Sequence, residues 1–205
     1  MPHVVALVSS AGGLAATRDV LAGLPADLPA CVVVLQHTPP DRESGLARLL
    51  QRRTELPVAE ATDGAPLATG RVIVAPAGCH TLVTPEGRIA LIVSGTYPPS
   101  RPSADLLLTT LGMALGPRAI AVVLSGAGHD AATGATAVHT RGGVVLATDE
   151  ETSDFFSMPA AAIDRDHVVD AVVPVPELAS RLVELVTVPA LGDPEDMGTS
   201  AHPNG

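Results

Sequence analysis

The chain has 205 residues, 46% of them apolar and 1% aromatic, with a formal charge of −10, which suits one aliphatic-cored α/β domain and is short for two. All 12 basic residues are arginines and none lies in a basic run, so neither nucleic acid nor an anionic membrane surface is an expected partner. The N-terminus has no arginine before Arg18 and is interrupted by Gly12-Gly13, unlike a signal peptide, and no apolar run reaches membrane-spanning length.

In chain order, residues 3–8 (HVVALV) predict a buried strand, followed by SSAGG and a helix to about residue 23. Residues 31–36 (CVVVLQ) predict a second strand, broken by Pro39 and Pro40, with Asp41 capping a helix over 42–53. The section 57–94 holds short β-like pieces (VIVAP, TLVT, RIALIV), and PEG at 85–87 marks a hairpin turn. It reads as a β-rich excursion within the same domain.

Alternation then resumes. A helix is predicted over 103–115, a strand over 119–125, a glycine loop (GAGHD) leading into a helix near 130–140, and a strand over 143–147. A short helix at 158–164, a strand at 168–173 and a helix at 176–187 complete the pattern. Residues 188–205 lose periodicity and are expected to be a disordered tail. The expected fold is α/β: a doubly wound, mostly parallel sheet in a three-layer sandwich with a β-hairpin excursion, formed by residues 1–187.

Open parallel sheets bind ligands beyond the carboxyl ends of their strands, and Ser10, His37 and Asp130 each follow a predicted strand. A serine hydroxyl needs a base to take its proton, and the base needs a partner that fixes its tautomer. Each residue also has a plainer reading. Ser10 can cap the helix after it, His37 can face water in a loop, and Asp130 can cap the helix near 130. The loops Ala11-Gly12-Gly13 and Gly126-Ala127-Gly128 can aim amides at an oxyanion, or equally cradle a phosphate. No P-loop, G-x-G-x-x-G or complete G-x-S-x-G motif is present. Cys31 and Cys79 form no disulfide framework and have no metal-ligand spacing, which suits a reducing compartment.

These stretches, taken in order, resemble the catalytic domain of the chemotaxis receptor methylesterase (CheB) family. The matching runs are SAGG (10–13), VVLQHTPP (33–40), SGLARLL (44–50), DGAPLATGRVIVAPAGCH (63–80), PSADLLL (102–108), VVLSGAGHDAATG (122–134) and FFSMPAAA (155–162). The resemblance implies hydrolysis of glutamyl γ-methyl esters on chemoreceptor cytoplasmic helices, with possible glutamine deamidation. It places Ser10 as nucleophile, His37 as base and Asp130 as acid of a triad, with no metal or organic cofactor. His80 and Met158 fall near the site without an assigned role. A cytoplasmic location is expected.

Val8, Ala11, Ala127 and Ala131 stand where the family usually has Gly, Thr, Met and Gly. The family's receiver domain is not seen ahead of residue 3, so a separate regulatory receiver protein is an expected partner. A small-ester hydrolase of other substrates, or a catalytically weak binding module of the same fold, also fits these residues. Ser9 is expected to be replaceable with little loss.

Overall fold

The computed structural model describes residues 1–38, 45–93 and 102–187. Their strands are β1 (His3–Ser9), β2 (Ala30–Gln36), β3 (Val58–Glu60), β4 (Arg71–Val74), β5 (His80–Val83), β6 (Ile89–Ile92), β7 (Ala119–Val123), β8 (Val144–Ala147) and β9 (Ala171–Val172). The helices are α1 (Gly13–Ala22), α2 (Leu46–Gln51), α3 (Ala104–Leu115), α4 (Ala132–Thr140), α5 (Ser157–Ile163) and α6 (Val175–Thr187).

Seven strands form one parallel sheet in the order β3-β4-β2-β1-β7-β8-β9, and β5 and β6 pair apart from it as an antiparallel hairpin. The winding reverses at β1: the chain passes to β2 on one side and later returns as β7 on the other. In such sheets ligands usually bind beyond the carboxyl ends of the strands at a reversal of this kind, here the ends of β1 and β7.

Alternation along β1 feeds two cores. Val4, Ala6 and Val8 pack with α3, α4 and α5, whereas Val5 and Leu7 pack with α1 and α6. The helices therefore cover both faces of the sheet, as the buried, β-branched strands require. With so few aromatics, the core consists almost wholly of fully buried Val, Leu, Ile and Ala. Burying each of the larger side chains contributes about 1.5–3 kcal/mol.

Three expectations need correction. First, β3 and β4 belong to the main parallel sheet, and only β5 and β6 form the excursion. Residues 71–74 pair with β2 through Cys31↔Arg71 to Val34↔Val74, a non-local pairing that local periodicity cannot report. Second, the strand predicted over 168–173 shrinks to Ala171–Val172. Asp166 and His167 adopt φ of 51° and 54°, which interrupts extension, while the Asp170 carboxylate accepts the Val145 N–H at 2.7 Å. Third, the strand predicted to reach residue 125 ends at Val123, and the buried Leu124 and Ser125 lead from it into the glycine loop. The predicted Asp41 cap, the first residues of the helix over 42–53 and the tail 188–205 lie outside the described residues.

Helices α3 and α4 pack at unusually short range because glycines face the contact. A Cβ on Gly112 would sit 2.9 Å from Val138 Cα, and one on Gly134 would sit 2.5 Å from Leu108 Cβ and 3.0 Å from the Asp105 carbonyl oxygen. Gly134→Ala should therefore cost about 1–3 kcal/mol despite alanine's better helix propensity. Thermal unfolding should show a lower midpoint; an unchanged or raised midpoint would refute this close approach.

Candidate active site

Parallel register sets the nucleophile candidate beside the base candidate. β1 and β2 pair from His3↔Ala30 to Ser9↔Gln36, and the His37 N–H donates to the Ser9 carbonyl at 2.9 Å. Ser10 and His37 are the residues that follow the last pair of that register, so β1 and β2 deliver them to the same edge of the sheet. On its other side the Ser10 N–H donates to the Ser125 carbonyl at 3.0 Å, which ties Ser10 to the end of β7. Gly126 closes against it: a Cβ there would lie 3.0 Å from Ser10 Cβ. Helix α1 takes Gly12 as its N-cap with no side-chain cap, so Ser10 does not serve as a cap.

His37 and Asp130 are joined directly, Nε2 to Oδ2 at 2.8 Å, with only 15% and 16% of the two side chains exposed. His37 is thus not a solvent-facing loop residue. Among the described residues the Ser10 hydroxyl makes no hydrogen bond to the ring, whose second nitrogen is Nδ1.

Asp130 does act as a helix cap, but not for the helix that follows it. Oδ2 also accepts the Ala104 N–H at 2.7 Å, while Oδ1 accepts the Asp105 N–H at 2.9 Å and the Ser103 hydroxyl at 3.0 Å. The carboxylate therefore sits on the N-terminus of α3, where free amides and the helix dipole favour negative charge. Burial pushes its pKa up, but hydrogen bonds from His37 and from the Asp105 and Ala104 amides outweigh burial, leaving Asp130 below the ordinary carboxylate value.

His80 supports this arrangement from behind. It is fully buried on β5, and its Nδ1 accepts the Ser103 N–H at 3.2 Å. Ser103 in turn caps α3 and donates to Asp130. Met158 is also buried, filling the space behind Gly126: a Cβ there would meet Met158 Sδ at 2.4 Å. The Met158 N–H donates to the Gly126 carbonyl at 2.9 Å.

Amides of the two glycine loops divide into occupied and free. The Gly13 N–H donates to the Ser10 carbonyl, Gly126 to the Phe155 carbonyl and Gly128 to Ser157 Oγ. Among the described residues, the N–H groups of Ala11, Gly12 and Ala127 have no protein acceptor. Gly12 has φ +73°, and a Cβ on it would meet Asp154 Cβ at 2.5 Å and Ser125 Oγ at 2.9 Å, so glycine is required there.

Several contributors had no role at the level of sequence. Ser125 is buried and donates its hydroxyl to the Ala11 carbonyl at 2.9 Å while accepting the Phe155 N–H at 3.0 Å, joining three loops. Ser9 is fully buried and donates to Gln36 Oε1 at 2.7 Å, and the Gln36 amide donates to the Ser10 carbonyl. Ser9 is therefore not the detached neighbour it was expected to be: without its hydroxyl, Gln36 Oε1 would lose a donor, while the Gln36 amide N–H would still reach the Ser10 carbonyl. A hydrophilic residue beside a candidate nucleophile was the available signal, but only the fold shows that it points inward.

The thiols are poorly suited to nucleophilic work. Burial pushes Cys31 up to about 12, and Cys79 is raised by burial and then by Glu60. Among the described residues no group of three or more His, Cys, Asp or Glu side chains is arranged to hold a metal, and no helix is long and apolar enough to cross a membrane.

The depressed pKa of Asp130 has a consequence for stability. Its unfolded value is about 3.9 and its folded value is lower, so its contribution is present above about pH 4 and lost as pH falls through the folded value. Asp130→Asn should be less stable than the parent at neutral pH, with the gap narrowing in urea titrations taken from about pH 6 to about pH 2.5. A gap of constant size would contradict the ionised, hydrogen-bonded carboxylate.

The family model described as CheB methylesterase matches residues 5–182. A protein-glutamate methylesterase/protein-glutamine glutaminase of Moorella thermoacetica is 39% identical over 90% of this chain and 44% of its own length. Protein-glutamate methylesterase FrzG of Myxococcus xanthus is 38% identical, over 90% of this chain and 55% of its own length. The chain thus spans about half the length of these curated relatives. The crystal structure of the Thermotoga maritima CheB methylesterase catalytic domain superposes with a TM-score of 0.86 at 34% identity, covering 91% of this chain and all of that one.

Proposed function

The chain belongs to the CheB methylesterase family, and we propose that it hydrolyses glutamyl γ-methyl esters on chemoreceptor cytoplasmic helices, with glutamine deamidation as the companion reaction. The observation that supports the reading is the His37–Asp130 pair, at the sheet edge where β1 leads into Ser10 and β2 into His37. Residues 1–187 would form the catalytic domain, acting in the cytoplasm and regulated by a receiver module or a separate receiver protein.

In the first step His37 Nδ1 takes the Ser10 proton as Ser10 Oγ attacks the ester carbonyl. A C–O bond forms, and the carbonyl electron pair moves onto oxygen. The free amides of Ala11, Gly12 and Ala127 are the available donors for that oxyanion. Asp130, held ionised by its donors, stabilises the imidazolium. Collapse expels methoxide, which takes the proton from His37 and leaves as methanol. A water then gives a proton to His37 and attacks the acyl-enzyme. Collapse returns the proton to Ser10 and releases the glutamate. With a glutamine substrate the same steps release ammonia first.

Ser10→Ala should lower hydrolysis of a methylated receptor fragment by more than about a thousandfold and abolish labelling by a sulfonyl fluoride. Exposed Ser180, whose hydroxyl donates to the Glu177 carbonyl, is the control, and Ser180→Ala should retain full activity. Hydrolysis surviving in Ser10→Ala would overturn the nucleophile assignment. Activity toward aryl esters without activity toward the receptor fragment would overturn the substrate assignment.

A further inference from the structure

Helices α3 and α4 exchange carboxylate caps. Asp130, just before α4, accepts amides at the start of α3, and Asp105, in the first turn of α3, accepts amides at the start of α4. The Asp105 Oδ1 atom takes the Ala131 N–H at 3.1 Å and the Gly134 N–H at 2.8 Å. Helix α4 has no other side-chain cap, because its N-cap position is Ala131.

Ala131 is also strained. Its φ is +118°, a conformation natural for glycine and costly for alanine by about 1–3 kcal/mol. It follows Asp130 directly, so relaxing its backbone would swing the Asp130 side chain away from His37. The hydrogen bond from Ala131 N–H to Asp105 opposes this relaxation at Ala131 itself, alongside the bonds that the Asp130 carboxylate accepts from the start of α3.

We propose that Asp105 is a positioning residue for catalysis: by holding the strained Ala131 amide it aims the Asp130 carboxylate at His37. Asp105 touches neither substrate nor His37 and acts only through Asp130. The proposal rests on reading His37 and Asp130 as base and orienting acid. What Asp105 must supply is an acceptor oxygen, not a charge, and the need for it arises because an alanine occupies a glycine conformation.

The test compares Asp105→Ala, Asp105→Asn, the double variant Asp105→Ala/Ala131→Gly and Asp130→Ala in the full chain. Receptor-fragment hydrolysis is measured with the downfield proton resonance of the His37 Nε2–H···Asp130 bond. Asp105→Ala should lose about 10–100-fold in kcat with KM nearly unchanged, and the downfield resonance should broaden or vanish. Asp105→Asn keeps an acceptor and should stay within about threefold of the parent. The double variant should recover most of the loss, because glycine adopts φ +118° unaided.

An unchanged kcat and resonance in Asp105→Ala, whatever its thermal midpoint, overturns the proposal. A loss of about tenfold or more in kcat relative to the parent, in Asp105→Asn or in the double variant, overturns it as well, and both of these comparisons hold even if Asp105→Ala fails to fold. If Asp130→Ala loses activity and Asp105→Ala does not, the positioning role alone falls. If Asp130→Ala keeps full kcat, the base and orienter reading falls and takes this proposal with it.

Discussion

The Asp130 carboxylate receives four hydrogen bonds: from His37, the Ser103 hydroxyl and the amides of Ala104 and Asp105. Three of these donors belong to the start of one helix, so the carboxylate joins the strand-end loop after β7 to the N-terminus of α3. A buried carboxylate without such partners would protonate or expose itself. Here the donors keep it charged and leave it one geometry, with Oδ2 facing His37. The close glycine packing of α3 on α4 makes that geometry possible, because it brings the two helix starts within mutual capping distance.

The other half of the crevice is organised through main chain. Ser10 is bound by its amide to Ser125 and by its carbonyl to Gly13 and Gln36, so three strand ends converge on one residue. Ser125 then links the Ala11 carbonyl to the Phe155 amide. Few of these contacts involve long side chains, so little rotamer entropy is lost in holding the geometry. Preorganised backbone amides need no rearrangement as charge develops on a substrate oxygen.

The four departures from the family's usual residues have different weights. Val8 is fully buried in the core against α3 and α4, where its side chain contributes packing and stays out of the crevice. Ala11 and Ala127 lie in the loops, and among the described residues their amides have no protein acceptor, a property any residue type but proline supplies. Ala131 is the one that matters to the backbone, since its φ of +118° suits glycine. That strain sits beside the most heavily hydrogen-bonded carboxylate in the site.

Much was legible from sequence because it is local. Valine-rich runs bounded by glycine and proline define strands such as β1, β2 and β7 through side-chain burial alone, and alternation with helical patterns implies a parallel sheet whose carboxyl edge carries Ser10, His37 and Asp130. Pairing partners were not legible. Residues 71–74 read as part of an excursion, yet they extend the main sheet, because strand neighbours are chosen by long-range packing. The same reason hid the roles of Ser9, Ser103, Asp105 and Ser125. A polar residue's local pattern states that it can accept or donate, and only the tertiary structure decides to whom. The amino-acid sequence by itself determined the aliphatic α/β layering and the candidate trio; the fold decided that Asp130 caps α3 instead of α4, since that hydrogen bond joins residues 26 positions apart.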